Sequence, residues 1–150
     1  TLHTNSAPAS IMRLTHMGVA PFLVAASVKL IIAQRLVKTL CQSCKLPVPL
    51  SDDDKKILTE TELAGIQESY RSVGCRLCSQ TGYKGRMPIF EVMPIKTPEM
   101  RQRILGAGHA DAISEQAVQE GMTTLRQAAL NAVAEGKTSL AEAMKIIMAD

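Results

Sequence analysis

Aromatic side chains are nearly absent: the chain has no Trp, two Tyr and two Phe. A core must therefore be built from Leu, Ile, Val, Ala and the eight Met, and the stacking surfaces that single-strand nucleic acid binding needs are scarce. Long apolar runs are missing too. The best stretch, "VAPFLVAASV", is stopped by Lys29, well short of the ~18 residues that span a bilayer. No basic start and apolar centre of a signal peptide opens the chain. These absences predict a soluble, cytosolic chain. Acid is missing from the first fifty residues, where Arg13, Lys29, Arg35, Lys38 and Lys45 stand alone, while the rest of the chain holds 12 of the 17 Lys and Arg and all 14 acids. The basic third reads either as a solvated surface or as the neighbour of an anion, such as a phosphate or an acidic partner. Finally, no G-x-x-x-x-G-K-[ST], H-E-x-x-H, G-x-S-x-G or G-x-G-x-x-G occurs, so the usual phosphate cradles and nucleophile settings are lacking. ATP turnover by this chain alone is not expected.

What remains fits one domain, since 150 residues can bury roughly two thirds of their unfolded surface. The first residue is Thr1, and "TLHTN" reads as the end of a buried strand, which suggests a piece of a longer chain. Ser6 as N-cap, Pro8 in the first turn and Gly18 as stop predict a first helix, and a second follows Pro21. "LIIAQRLVKTL" suits strand or helix, because Ile32, Gln34, Leu36 and Lys38 alternate while longer spacings also fit. Ser51 with Asp54 predicts a helix filling much of 51–70. "RMPIFEVMPI" predicts a strand through Ile89, Phe90 and Val92, and Thr97 with Pro98 opens a helix. Helices stopped at Gly121 and Gly136 and a Ser139–Glu142 capping box complete a helical array.

All four cysteines fall into two C-x-x-C pairs, Cys41 and Cys44, then Cys75 and Cys78. Two tight turns of this kind supply the four thiolates that tetrahedral zinc requires, at ~2.3 Å. The thirty residues between the pairs exceed the ~15 to 20 of a common zinc ribbon, but loop closure grows only as the logarithm of length. A closed four-sulfur site has no open position for water and is structural. Lys38, Lys45, Arg76 and Lys84 flank the ligands as candidate counter-charges. A redox or disulfide C-x-x-C pair and four unrelated buried thiols are the alternatives. His16 and His109 read as structural or solvent-facing residues.

"TLHTNSAPASIMRLTHMGVAPFLVAASVKLIIAQRLVKTLCQSCK", "GCRLCSQTGYKGRMPIFEVMPI" and "LRQAALNAVAEGKTSLAEAM" closely resemble the C-terminal part of the bacterial secretion ATPases of type II secretion and type IV pilus assembly. The resemblance implies an α/β fragment, mainly helical: the end of a RecA-type ATPase domain over 1–40, a tetracysteine zinc module over 41–86, and a returning strand with a C-terminal helical subdomain over 87–150. It implies a parent that is a cytoplasmic homo-hexamer peripheral to the inner membrane, using ATP and Mg²⁺ and working with inner-membrane platform and adaptor proteins. The P-loop and the acidic boxes would lie upstream of Thr1. His3 and Thr4 match the histidine-box pair that senses the γ-phosphate, and Gln34 and Arg35 match the "AQRL" strand, which should pair with "PIFEVM". The alternative is a free-standing four-cysteine zinc-ribbon module for nucleic acid, suggested by the pI near 8.7; the shortage of aromatics argues against a nucleic acid partner.

Overall fold

A computed structural model describes residues 2–106 and 109–148. The chain divides into two compact units, one from Thr1–Gln34 and Phe90–Leu125, the other from Arg35–Ile89 and Arg126–Ala149.

In the first unit, α1 (Ala7–His16) starts where Ser6 accepts from the Ala9 N–H, and Gly18 beyond its end takes φ +90°. α2 (Pro21–Ser27) begins on its proline. α5 (Pro98–Leu105) is capped by Thr97, which accepts from the Met100 N–H, and α6 (Ala110–Gln119) follows. α2 packs on α5, α5 on α6, and α1 on α6. Their shared core is aliphatic: Ile11, Val24, Met93, Ile95, Met100, Ile104 and Ile113 are all buried.

The ambiguous segment is a strand, β1 (Leu30–Leu40), and its hydrogen-bonded neighbour is β4 (Tyr83–Pro94), as the resemblance implied. The pair is antiparallel: at one end the Ile95 N–H donates to the Lys29 carbonyl at 2.9 Å, and at the other the Cys41 N–H donates to the Gly82 carbonyl at 3.0 Å. The buried side of β1 carries Ala33 and Val37, and that of β4 carries Ile89, Glu91 and Met93. Of the residues that marked these strands in the sequence, Ile32, Leu36, Phe90 and Val92 lie on the exposed side and Ile89 on the buried one.

In the second unit, the helix expected over 51–70 is broken. It forms α3 (Asp52–Ile57) and α4 (Glu60–Gly65), then β3 (Ser69–Arg71), which pairs antiparallel with β2 (Leu46–Val48). The cause is a second capping box: Leu58 turns extended, Thr59 accepts from the Glu62 N–H, and the Glu62 carboxylate accepts from the Thr59 N–H. α7 (Leu125–Ala134) ends before Gly136 at φ +64°, and α8 (Leu140–Ile147) starts at Ser139, which accepts from the Glu142 N–H. The expected capping box at Ser139 is only half formed. The Glu142 carboxylate accepts from the Lys38 N–H at 3.0 Å and pairs with Lys145. Burial raises the Glu142 pKa, but these donors outweigh burial and hold the carboxyl below its ordinary range. No helix among the described residues is long and apolar enough to cross a membrane.

Candidate metal centre

Each C-x-x-C pair sits on a tight turn that aims two sulfurs the same way. In the first, the Cys44 and Lys45 N–H groups both donate to the Cys41 carbonyl, at 3.2 and 3.0 Å. In the second, the Cys78 and Gln80 N–H groups donate to the Cys75 carbonyl, at 3.2 and 2.9 Å, and Ser79 and Gln80 take left-handed φ of +52° and +64°. Two glycines frame this turn. Gly74 lies at φ +116°, where a Cβ would stand 2.7 Å from the Gln80 carbonyl oxygen; Gly82 lies at φ +74°, where a Cβ would stand 2.5 Å from Ser72 Cβ. Only glycine fits either place.

The four sulfurs converge. Cys41 Sγ is 3.9 Å from Cys75 Sγ, Cys44 Sγ is 3.8 Å from Cys78 Sγ, and Cys75 and Cys78 are 3.7 Å apart. All four lie within 4.8 Å of one another, so one metal ion could take all of them as ligands. The thiols are free, which sets aside disulfide pairing in this arrangement. Backbone donors serve the sulfurs: the Cys75 and Gly82 N–H groups each reach Cys78 Sγ at 3.2 Å. Burial pushes the Cys78 thiol up, but those donors and the neighbouring thiols outweigh it and draw its pKa to about 6. Burial pushes Cys44 to about 11, with the neighbouring thiols adding and the Gly74 N–H opposing. A bound cation would favour the thiolate form of all four sulfurs. Lys45, expected as a counter-charge, donates to the Gly136 carbonyl at 2.8 Å with its ammonium 4.5 Å from the Tyr70 ring centre, and Lys38 lies 5.5 Å from that of Tyr83.

A polar clasp holds the excursion between the pairs. Arg126 on α7 grips the Glu62 carboxylate at 2.6 and 3.0 Å and donates to the Ile57 carbonyl at 3.1 Å. The Glu62 pKa falls to about 2, chiefly because of this guanidinium.

His3 and Thr4 lie in the first unit, on the approach to α1. His3 is exposed, whereas Thr4 Oγ1 lies 2.6 Å from Ser10 Oγ and donates to the Ser6 carbonyl. Sequence reasoning passed over Glu91. Its buried carboxylate accepts from the Ala7 N–H at 2.6 Å and the Leu125 N–H at 3.1 Å, tying the start of α1 to Leu125 within the first unit. The partners stand 84 and 34 residues away, so no local signal marks it.

A mixed α/β chain with a four-cysteine cluster between its strands is thus the class defined by fold and site. The family described as "Type II/IV secretion system protein" matches residues 1–145, and the chain belongs to it. It is 40% identical over 144 residues to the type IV pilus assembly ATPase PilB of Myxococcus xanthus, covering 95% of this chain and 25% of that protein. It is 37% identical over 150 residues to type II secretion system protein E of Aeromonas hydrophila, covering 100% and 29%. With PilB of Pseudomonas aeruginosa it shares 42% over 148 residues, covering 97% and 26%. The chain therefore spans about a quarter of the length of these relatives.

Proposed function

We propose that this chain is the C-terminal portion of a hexameric, ATP-hydrolysing motor that powers type II secretion or type IV pilus assembly. The carrying observation is the family match over nearly the whole chain, with relatives named as pilus assembly ATPases and as a type II secretion protein. In this reading residues 1–40 close a RecA-type core, 41–86 form a zinc module, and 87–150 return to the core and end in a helical subdomain. His3 and Thr4 act as the histidine-box pair, with the His3 imidazole donating to charge that develops on the γ-phosphate. The motor works in the cytoplasm at the inner membrane, against platform and adaptor proteins, with ATP and Mg²⁺ supplied through other parts of the parent.

Zinc is the metal that suits Cys41, Cys44, Cys75 and Cys78. A tetrahedron with ~2.3 Å bonds has ligands about 3.8 Å apart; three of the six sulfur separations are 3.7 to 3.9 Å, and all four sulfurs lie within 4.8 Å of one another. Four thiolates leave no site for substrate, so the ion would cross-link the two turns and leave the hydrolytic chemistry to others. The test is ATP turnover by the full-length protein. His3→Ala should lower kcat by on the order of a hundredfold, as for the loss of one charge-stabilising donor, with zinc content held at one per chain. Turnover unchanged in His3→Ala removes the assigned role.

A further inference from the structure

Residues 136–138, in the turn between α7 and α8, grip the chain on both sides of the first cysteine pair. On one side the Lys137 carbonyl accepts from the Leu40 N–H at 2.9 Å, and Thr138 Oγ1 donates to the Lys38 carbonyl at 2.7 Å. On the other the Gly136 carbonyl accepts from the Lys45 ammonium at 2.8 Å. The two arms differ in what holds them. Lys38 and Leu40 belong to β1, which is hydrogen-bonded to β4. Lys45 closes the first C-x-x-C turn, where its N–H donates to the Cys41 carbonyl at 3.0 Å, so its position follows that of Cys41 and Cys44. Gly136 is shaped for this contact: it is buried at φ +64°, and a Cβ there would stand 2.9 Å from Lys45 Nζ and 2.9 Å from Tyr70 Cε2. Lys45 is half-buried, and its ammonium also lies 4.5 Å from the centre of the Tyr70 ring, in β3 ahead of the second cysteine pair.

We propose that Lys45 carries the state of the metal centre to the α7–α8 turn, so that this turn is fixed when the four sulfurs hold a metal ion and loosens when they lose it. The inference rests on the reading of the cysteines as a metal site. An ion held by all four sulfurs ties the first cysteine turn to the second, and its binding energy stabilises the arrangement it needs. Without the ion no bond joins the two turns, and the first shifts against the second. The Lys45 ammonium has exchanged water for one carbonyl and one ring face, a balance that holds only while both stay in reach. Once the turn shifts, water is the better partner, and the Gly136 carbonyl loses its donor. The strand arm does not depend on the sulfurs in this way. Lys38 and Leu40 keep their ends in place, so the loosening is confined to the segment around Gly136 and the start of α8.

Amide hydrogen exchange of the full-length protein, read by mass spectrometry in the zinc-loaded form and after chelation, tests this, with zinc counted per chain. Chelation should speed exchange of 134–140 about tenfold, the loss of one hydrogen bond from a charged donor, and leave 30–37 in β1 as it was. Lys45→Met keeps the aliphatic stem and removes the donor. It should retain its zinc, show the same rise with zinc bound, and gain little further on chelation. Lys45→Arg, which keeps a charged donor, should fall between the parent and Lys45→Met. Parent-like exchange in Lys45→Met, or a further rise of the same size when that variant is chelated, overturns the coupling and leaves the metal site standing. Equal loss of protection at 30–37 and 134–140 on chelation means general unfolding and overturns the coupling as well. A protein that holds no zinc, as purified or after zinc is added, removes the metal reading and the coupling with it.

Discussion

Replacing Glu91 by Gln tests whether a single buried carboxylate organises the first unit. Glu91 is 3% exposed, and each of its oxygens accepts one helix-starting N–H, from Ala7 at 2.6 Å and from Leu125 at 3.1 Å. Gln keeps one acceptor and turns the other into an amide that faces a donor, leaving a buried N–H without a partner at a cost of about 1 to 3 kcal/mol. The lost negative charge also faced two helix N-termini, each worth about 0.3 to 1 kcal/mol. Together these come to roughly 1.6 to 5 kcal/mol, and at about 2 to 4 °C per kcal/mol for a chain of this size the melting temperature should fall by roughly 3 to 20 °C. Hydrogen exchange locates the effect: the Ala7 and Leu125 amides should lose protection first, while the amides around Cys75 and Gly82 keep theirs. A melting temperature within a degree of the parent, with both amides still protected, refutes the reasoning.

Gly82→Ala should loosen the metal centre, because a left-handed residue with a side chain costs about 1 to 2 kcal/mol and its Cβ would meet Ser72 Cβ at 2.5 Å; faster zinc loss to a chelator is expected, and an unchanged rate removes the role given to this turn. The Arg126–Glu62 clasp predicts a pH dependence of defined sign. Because the Glu62 pKa is lowered from 4.5 to about 2, its stabilisation is fully present above about pH 4.5 and is lost as pH falls from there through about 2. Exchange protection of α4 should follow that window and lose its pH dependence in Arg126→Ala, and an identical profile in the variant sinks the claim.

Local chemistry was legible from sequence, and long-range partners were not. Ser6, Ser51 and Thr97 cap the helices they were expected to cap, since a cap closes within three residues. The cysteines were equally plain, because two C-x-x-C turns carry their geometry in their own spacing. Thr59 and Glu62 spell a capping box as clearly as Ser51 and Asp54 do, yet the acidic first turn of α3 drew the whole stretch into one helix. In β1 and β4 the alternation marked the period but not the covered side: Ala33, Val37, Ile89 and Glu91 are buried, and Ile32, Leu36, Phe90 and Val92 are exposed. Period 2 says that two faces differ, and only the elements packed on them decide which one is covered. Glu91 sits among apolar residues where a carboxylate looks misplaced. Its reason lies in two amides that the chain brings back from afar, and Glu142 is spent in the same way on Lys38 instead of on its own cap.

Whether the excursion between the cysteine pairs carries a partner contact of the proposed motor or only braces the metal centre can be tested cleanly on α3. None of its six residues is buried. Among the described residues Lys55 and Lys56 pair within the helix, with Asp52 at 3.3 Å and Asp53 at 2.8 Å, and the lysine side chains remain 53% and 74% exposed. Exposed pairs of this kind contribute about 0 to 1 kcal/mol. Reversing both charges sets Glu beside Asp52 and Asp53, which costs a few tenths of a kcal/mol per pair, on the order of 0.2 to 0.5. That is enough to fray a six-residue helix and too little to undo what holds the excursion: the cysteine cluster, the β2–β3 pair, buried Leu58 and Ile66, and the Arg126–Glu62 clasp. Fraying is controlled by Lys55→Gln with Lys56→Gln, which removes the charges without adding repulsion. In the full-length protein both double variants should retain zinc and ATP turnover, and binding to the platform or adaptor protein should weaken in the Gln pair and more strongly in the Glu pair. Secretion or pilus assembly should fall in step with that binding. If binding and transport both persist in the Glu pair, and persist again when 52–65 is replaced by a short Gly-Ser linker, the excursion only braces the metal centre and the partner contact lies on another surface.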